Sequence, residues 1–444
     1  MKIFLRALLF FAISLAALEP ALGAECTHYA SPFGSGSGAP SEPLRIADFW
    51  RIARPGYTLC LSDGEYRGAD SMITPPRGLS GTAELPITVR ALHDGRATLN
   101  GQNRDIPVRL QNNNYFILEG FNAHDSAESV ITLSNSDHNI VRRVAAWDAA
   151  DKNTNIFAVN HGKHNLLEDV AGWGTARKIF SSSQGGNATT IRRAWGRWEG
   201  SQVVGPKMTY DLAYNNYDML VENSLGTWSG ERMAESYELK DYKGKAWQGR
   251  GAGMYFDKVD QPYGIFSVGG FSNGDRNPRM RLLGSIAYVL GQDRFQPDQA
   301  VYITTLDAIE LRDVVAYLPG AYADKATFRL DGVKNGVAGN LVATALTGIS
   351  GAGAKISPQW KASAIVNGRG ADAAPSIFTA ARGANLCYRY QDGALTREPL
   401  WPWPMNERIL KATIDSGRAP VDVTKIIESL FGPIPAKCRS AHAS

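Results

Sequence analysis

The stretch HNIVRRVAAWDAADKNTNIF, residues 138–157, returns in shortened form as HNLLEDVAGWGTARKIF, residues 164–180. A phrase that recurs after 26 residues constrains the fold more than any composition, because each copy must fill an equivalent place in a repeated unit. Looser copies flank it. NNYFILEGFNAHDS starts at Asn113, ATTIRRAWGRWE at Ala188 and MLVENSLGTWS at Met219. With Phe121, Val144, Val170 and Ala194 as equivalent positions, the spacings are 23, 26 and 24 residues, and Ser224 follows 30 further on. After a longer insertion the pattern resumes at RLLGSIAYVL, IELRDVVAYLP and VAGNLVATALTG, placing Ile286, Val314 and Leu341 at intervals of 28 and 27.

A strand cluster every 23 to 30 residues, with Asn, Asp, Ser and Gly between clusters, leaves no room for a crossover helix in each period. One coil of a parallel β-solenoid fits that length. A single coil exposes strand edges above and below, so only stacking satisfies its backbone and buries its apolar row. The ends then need covers. Ile46, Phe49, Trp50 and Ile52 sit at helical spacing, and Pro55-Gly56 stops that helix before YTLCLSDGEY begins a strand. Near the other end Pro399, Pro402 and Pro404 break any strand, and Asn406 is placed to cap a helix.

Composition sets outer limits. A chain of 444 residues that is 44% hydrophobic and 20% charged can bury a large core and is not disordered. Its opening, MKIFLRALLFFAISLAALEPALGAEC, reads as a secretory signal peptide, too short in its apolar run for a membrane span, so the mature chain is expected to be secreted or periplasmic. Cys26, Cys60, Cys387 and Cys438 are an even set suited to disulfides. Cys26–Cys60 and Cys387–Cys438 would each fasten a terminus, although four cysteines allow three pairings. The formal net charge of +4 is compatible with an acidic polymer, while no polybasic tract points to nucleic acid or a membrane surface. The expected division is a signal peptide (1–24), an N-terminal cap with the first coil (25–85), a solenoid (86–350) with an inserted arm (229–280), and C-terminal coils with a cover segment (351–444).

The segment YASPFGSGSGAPSEPLRIADFWRIARPGYTLCLSDGEYRG resembles the entry into right-handed parallel β-helix proteins of the pectate-lyase-like superfamily. The expected fold is therefore all-β: a right-handed parallel β-helix with an N-terminal capping helix and a C-terminal cover segment. Stacked coils bring equivalent positions to about 4.8 Å, so Asp125 should sit over Asp148, with Asp151 and Lys152 near the register of Arg177 and Lys178. This arrangement is similar to that of the family 9 pectate lyases, whose aspartates on successive coils hold calcium and whose lysine on a later coil is the base. The resemblance implies Asp125, Asp148 and Asp151 as Ca2+ ligands, Lys178 as base and Arg177 as a substrate contact. The family's adjacent aspartate pair is reduced here to Asp148, flanked by Trp147 and Ala149.

A second tract, WGRWEGSQVVGPKMTYDLAYNNYDM, gathers Lys207, Tyr210, Asp211, Tyr214 and Tyr217. Lys207 with Tyr210 is an alternative base and acid pair for a metal-independent lyase. Trp198 could stack a sugar ring, or pack inside the solenoid with Trp195 and Trp228. Arg232 and Trp247, on the inserted arm, could wall a cleft. His138 and His164 open matching repeats and read as corner residues rather than ligands. The chain lacks the GxSxG, HExxH and P-loop motifs, as well as the aspartate and Asp-Pro-His-Glu motifs of hydrolases and epimerases on this fold. The expected activity is β-elimination on an acidic, uronate-containing polysaccharide by a monomer. The rival is a non-catalytic β-helix that binds or organises such a polymer.

Overall fold

The structure is a computed structural model. It describes residues 25–233, 238–248, 264–269, 279–289, 297, 299–304, 308–318, 328–331, 335–343, 349–350, 361–367, 377–378 and 385–440. The signal segment therefore lies outside the described residues.

Each complete coil contributes three short strands, and like strands stack in parallel into three faces. One coil runs through Ile140–Arg142, Ala145–Trp147 and Asn155–Asn160, and the next through Leu166–Glu168, Ala171–Thr175 and Lys178–Ser183. We call the faces first, second and third in that order. First and second strands meet at a single left-handed residue: Gly120, Arg143, Asp169, Arg193, Asn223, Gly284, Asp313 and Asn340 all have φ between 46° and 81°. One residue in that conformation turns the chain sharply without interrupting the stack; the amide of Arg143, for example, bonds to the carbonyl of Glu168 one coil on, at 3.1 Å. The passage from second to third strand carries the longer loops.

The residue after this corner is Phe121, Val144, Val170, Ala194 and Ser224, as the repeat predicts. Beyond the insertion the count slips by one. Leu225 pairs with Ile286 and Ile286 with Val315, so Ser285, not Ile286, is the equivalent of Ser224 and Val314. The 229–280 arm also differs from expectation, because Gly264–Gly269 is a strand of the third face, paired with Met208–Ala213.

Two inward rows fill the solenoid. From the third face Phe157, Phe180, Tyr210 and Phe266 stack at centroid distances of 4.9, 4.8 and 4.4 Å, each pair worth roughly 0.5–1.5 kcal/mol beyond its buried area. Opposite them the second face turns in a row of small residues, Ala123, Ala146, Gly172, Gly196, Gly226 and Ala287. The two rows are complementary. A Cβ on Gly226 would lie 2.3 Å from a methyl of Ile265 and 3.2 Å from the ring of Tyr210, so the aromatic row requires a neighbour without a side chain.

At the N-terminal end helix α1, Ile46–Phe49, covers the first coil with fully buried Ile46 and Phe49. It is shorter than the helical spacing suggests, and Ile52 lies outside it, 46% exposed. The Cys26–Cys60 disulfide ties the first strand pair to this end, and Cys387–Cys438 closes the C-terminal segment. That segment contains helices α2, Asn406–Asp415, and α3, Val423–Phe431. It lies along the outer side of the second face, where Trp403, Ile409, Val423 and Ile427 pack over Trp147, Trp173, Trp195, Ile286 and Tyr288. The segment thus covers a flank of the solenoid. Asn406 does not cap its own helix; its Oδ1 accepts from the amide of Thr424 at the start of α3, at 3.0 Å.

Candidate active site

The outer side of the third face and the loops that lead into it hold most of the chemistry. Register sets a row across successive coils, Ala158, Ser181, Asp211, Ser267 and Tyr302, that is polar from Ser181 onward. Because side chains alternate along a strand, Tyr210 pointing inward puts Asp211 outside. Asp211 Oδ2 accepts from Lys178 Nζ at 2.5 Å and from Ser181 Oγ at 3.1 Å. Both Lys178 and Asp211 are buried, and Asp211 Oδ1 and Ser267 Oγ have no hydrogen-bond partner. Lys178 also lies 5.8 Å from the ring centre of Tyr214. Burial pushes the Lys178 ammonium below its usual range, Asp211 opposes that, and the adjacent Arg177 adds to it.

Arg177 lies over the ring of Tyr242 at 5.1 Å, and its Nε is buried with no hydrogen-bond partner. Lys207 precedes the strand paired with that of Lys178. Its Nζ donates to the carbonyls of Val203 and, at 3.2 Å, Gly205. It is fully buried and held far below the usual lysine range, first by burial and then by Arg177. Arg177, Lys178 and Lys207 thus form a cationic cluster at the entry to the third face.

Two of the candidate site residues, Tyr210 and Trp198, are inside. Tyr210 belongs to the aromatic stack, and its hydroxyl donates to Ala194 O at 2.8 Å, so it does not reach the outer row. Trp198 stacks on Trp228 at 4.1 Å and donates from Nε1 to Ala176 O at 2.9 Å. It fills the core and offers no face to a sugar. Trp247 is half-buried against the same core.

The predicted calcium ligands follow the register in part. Trp147 pairs with His124, so Asp148 stacks on Asp125 as expected, both with left-handed φ. The equivalent position on the next coil is Gly174, φ +92°, where a Cβ would collide with Asp148 Oδ1. Asp151 and Lys152 do not align with Arg177 and Lys178, since Lys178 pairs with Asn155. The aspartates also fail as a calcium cradle, because they are already engaged. Asp148 Oδ1 meets Arg232 and accepts from the Thr175 amide at 2.9 Å, and its Oδ2 accepts from Arg418 Nη2 at 2.7 Å. Asp151 Oδ1 accepts from Ser201 Oγ and the Gln202 amide at 2.9 and 3.0 Å, and Oδ2 pairs with Lys240 at 2.8 Å. Asp125 pairs with His124 at 3.0 Å. A calcium ion seeks six to eight oxygen ligands, and among the described residues no three His, Cys, Asp or Glu side chains form a metal-holding group.

Next to Asp125 and Asp148 a cavity of about 400 Å³ is lined by Glu65, His124, Trp147 and Asp415 among others. His124 and Trp147 stack there at 4.5 Å. Neither Lys178 nor Lys207 lines it.

No family model matches the chain, and no curated protein matches it. Among solved structures it is similar to the pectate lyase Pel9A, with a TM-score of 0.50 and 14% identity over 76% of this chain and 78% of that one. Two others superpose more loosely. An alginate lyase from Paenibacillus sp. str. FPU-7 gives a TM-score of 0.37 at 14% identity, covering 71% of this chain and 94% of its own. A PL6 family polysaccharide lyase from Pseudopedobacter saltans gives 0.41 at 11%, covering 73% and 78%. The chain is a right-handed parallel β-helix. At 14% identity that likeness defines the fold alone, and the chemistry must be argued from the side chains.

Proposed function

We propose that the protein is an exported lyase that cleaves an acidic, uronate-containing polysaccharide by β-elimination. The observation that carries this reading is the cationic cluster of Arg177, Lys178 and Lys207 beside the buried Lys178–Asp211 pair. β-Elimination needs positive charge on the uronate carboxylate, which acidifies the C5 proton, and a base to remove it. Arg177, with a donor to spare, supplies the charge. Lys178 in its neutral form takes the C5 proton; the C–H pair becomes the C4–C5 double bond, and the C4–O bond breaks. The departing oxygen takes a proton from the Lys178 ammonium, which regenerates the base. Asp211 orients Nζ and limits how far burial lowers its basicity. No step runs through calcium, since the aspartates that would hold it are paired.

Export is supported by the leader-like first residues and by two disulfides, which persist in oxidising compartments. The burial of Trp195, Trp198 and Trp228 favours a second reading, a β-helix that binds an acidic polysaccharide without cleaving it.

One experiment separates them. Purified protein is incubated with a panel of acidic polysaccharides, with calcium and with chelator, and the ultraviolet absorbance of unsaturated uronate is followed. We expect a rise that chelator leaves intact and Lys178→Ala removes. A flat trace with unchanged polymer size on every substrate would replace the lyase by the binding protein.

A further inference from the structure

The carboxylates on the loops into the third face are held by cations drawn from remote parts of the chain. Arg232 and Lys240 belong to the inserted arm, and Arg418 to the segment after helix α2. They lie 84, 89 and 270 residues from the aspartates they pair with. Arg418 bridges two carboxylates, donating from Nη2 to Asp148 and from Nε to Glu199 Oε2 at 3.1 Å. Glu199 is fully buried, and its Oε1 is held by Arg197 at 2.9 and 2.5 Å. The loop of Asp148 and Asp151 ends at Thr154, whose carbonyl accepts the amide of Arg177 at 3.0 Å.

We propose that Arg232, Arg418 and Lys240 are resident counter-ions that do here what a bound divalent ion does between stacked aspartates. They neutralise Asp148 and Asp151, clamp the arm and the C-terminal segment onto the loop, and so fix the backbone on which Arg177 and Lys178 stand. Every oxygen of Asp148 and Asp151 faces an N–H, O–H or ammonium donor. A divalent cation entering this loop would have to displace those donors and sit among three positive charges. Asp125, one coil below, lies 3.0 Å from His124 Nδ1 and feels Arg232 and Arg418 as well.

The test reads binding and stability, not product, so its failure is distinct from failure of the lyase reading. Calcium is titrated into the full-length mature protein in a calorimeter, and melting is compared in calcium and in chelator. We expect no saturable heat and one melting temperature in both. Arg418→Gln and Arg232→Gln should each lower it by roughly 1.5–3 °C, as loss of a charge-assisted bond implies for a chain of this length, while Arg418→Lys recovers part of the drop. Saturable one-to-one calcium binding that Asp148→Asn abolishes would overturn the proposal. So would arginine variants that melt with the parent protein. If Arg418→Gln fails to fold, the Arg418→Lys and Arg232→Gln melts decide the matter.

Discussion

Asp211→Ala leaves the Lys178 ammonium buried without its partner. The side chains are 6% and 0% exposed, and Asp211 also accepts from Ser181. Losing one member of such a pair costs about 3–5 kcal/mol, because the surviving charge stays desolvated. Lys178→Met strands Asp211 in the same way. The double variant strands neither charge, so its cost should fall well short of the sum, by about 2 kcal/mol or more. The assay is urea unfolding of the four proteins followed by circular dichroism.

The same variant makes a pH prediction of definite sign. Burial and Arg177 already lower the Lys178 pKa from 10.5, and Asp211 alone opposes them. Without Asp211 the folded-state pKa falls further, while the unfolded value stays at the ordinary 10.5. Between those two values the unfolded chain holds a proton that the folded chain has shed, so stability rises with pH in that window. The deficit of Asp211→Ala should therefore narrow as pH is raised toward 10.5. Single-variant costs that add within about 0.5 kcal/mol, together with a deficit independent of pH, would refute the buried-pair account.

Three further outcomes are expected. In the lyase assay kcat/KM should rise with pH through the Lys178 pKa, below 10.5, as a base that works in its neutral form requires; a profile that falls with pH would exclude Lys178 as base. Tyr210→Phe should leave product formation intact and cost about 0.5–1.5 kcal/mol in chemical unfolding, since one hydrogen bond is lost while the Ala194 carbonyl keeps the Leu225 amide as donor; loss of product in a folded variant would return Tyr210 to the chemistry. Burial raises the Glu168 pKa, but Arg193 and Arg192, each bonded at 2.6 Å, outweigh it and hold the carboxyl below 4.5. Its stabilisation is full above that value and is lost as pH falls through the folded pKa, so Glu168→Gln should flatten the acid limb of a stability-against-pH curve.

What was legible in the sequence follows from which interactions are local to a coil. The stacking period is local: a corner residue, an apolar residue after it and a small inward residue recur within one turn of chain, so Phe121, Val144, Val170 and Ala194 could be aligned by eye. The alignment slipped at Ile286 because the insertion removed the count and Ser285, a buried corner serine, looks like any turn residue. Asp148 over Asp125 was legible for the same local reason. Its partners were not, since no periodicity links it to Arg232 or Arg418. Tyr210 and Trp198 misled because a polar tip suggests an outward side chain, yet a backbone carbonyl at a solenoid corner satisfies that tip from inside. Asp211 carries a usable signal: once Tyr210 is assigned to the inward row by its register with Phe180, alternation alone sends Asp211 outward beside the coil of Lys178. In a solenoid the neighbours of a catalytic side chain are set by register one period away, so one correct inward assignment places the outward residues of two adjoining coils.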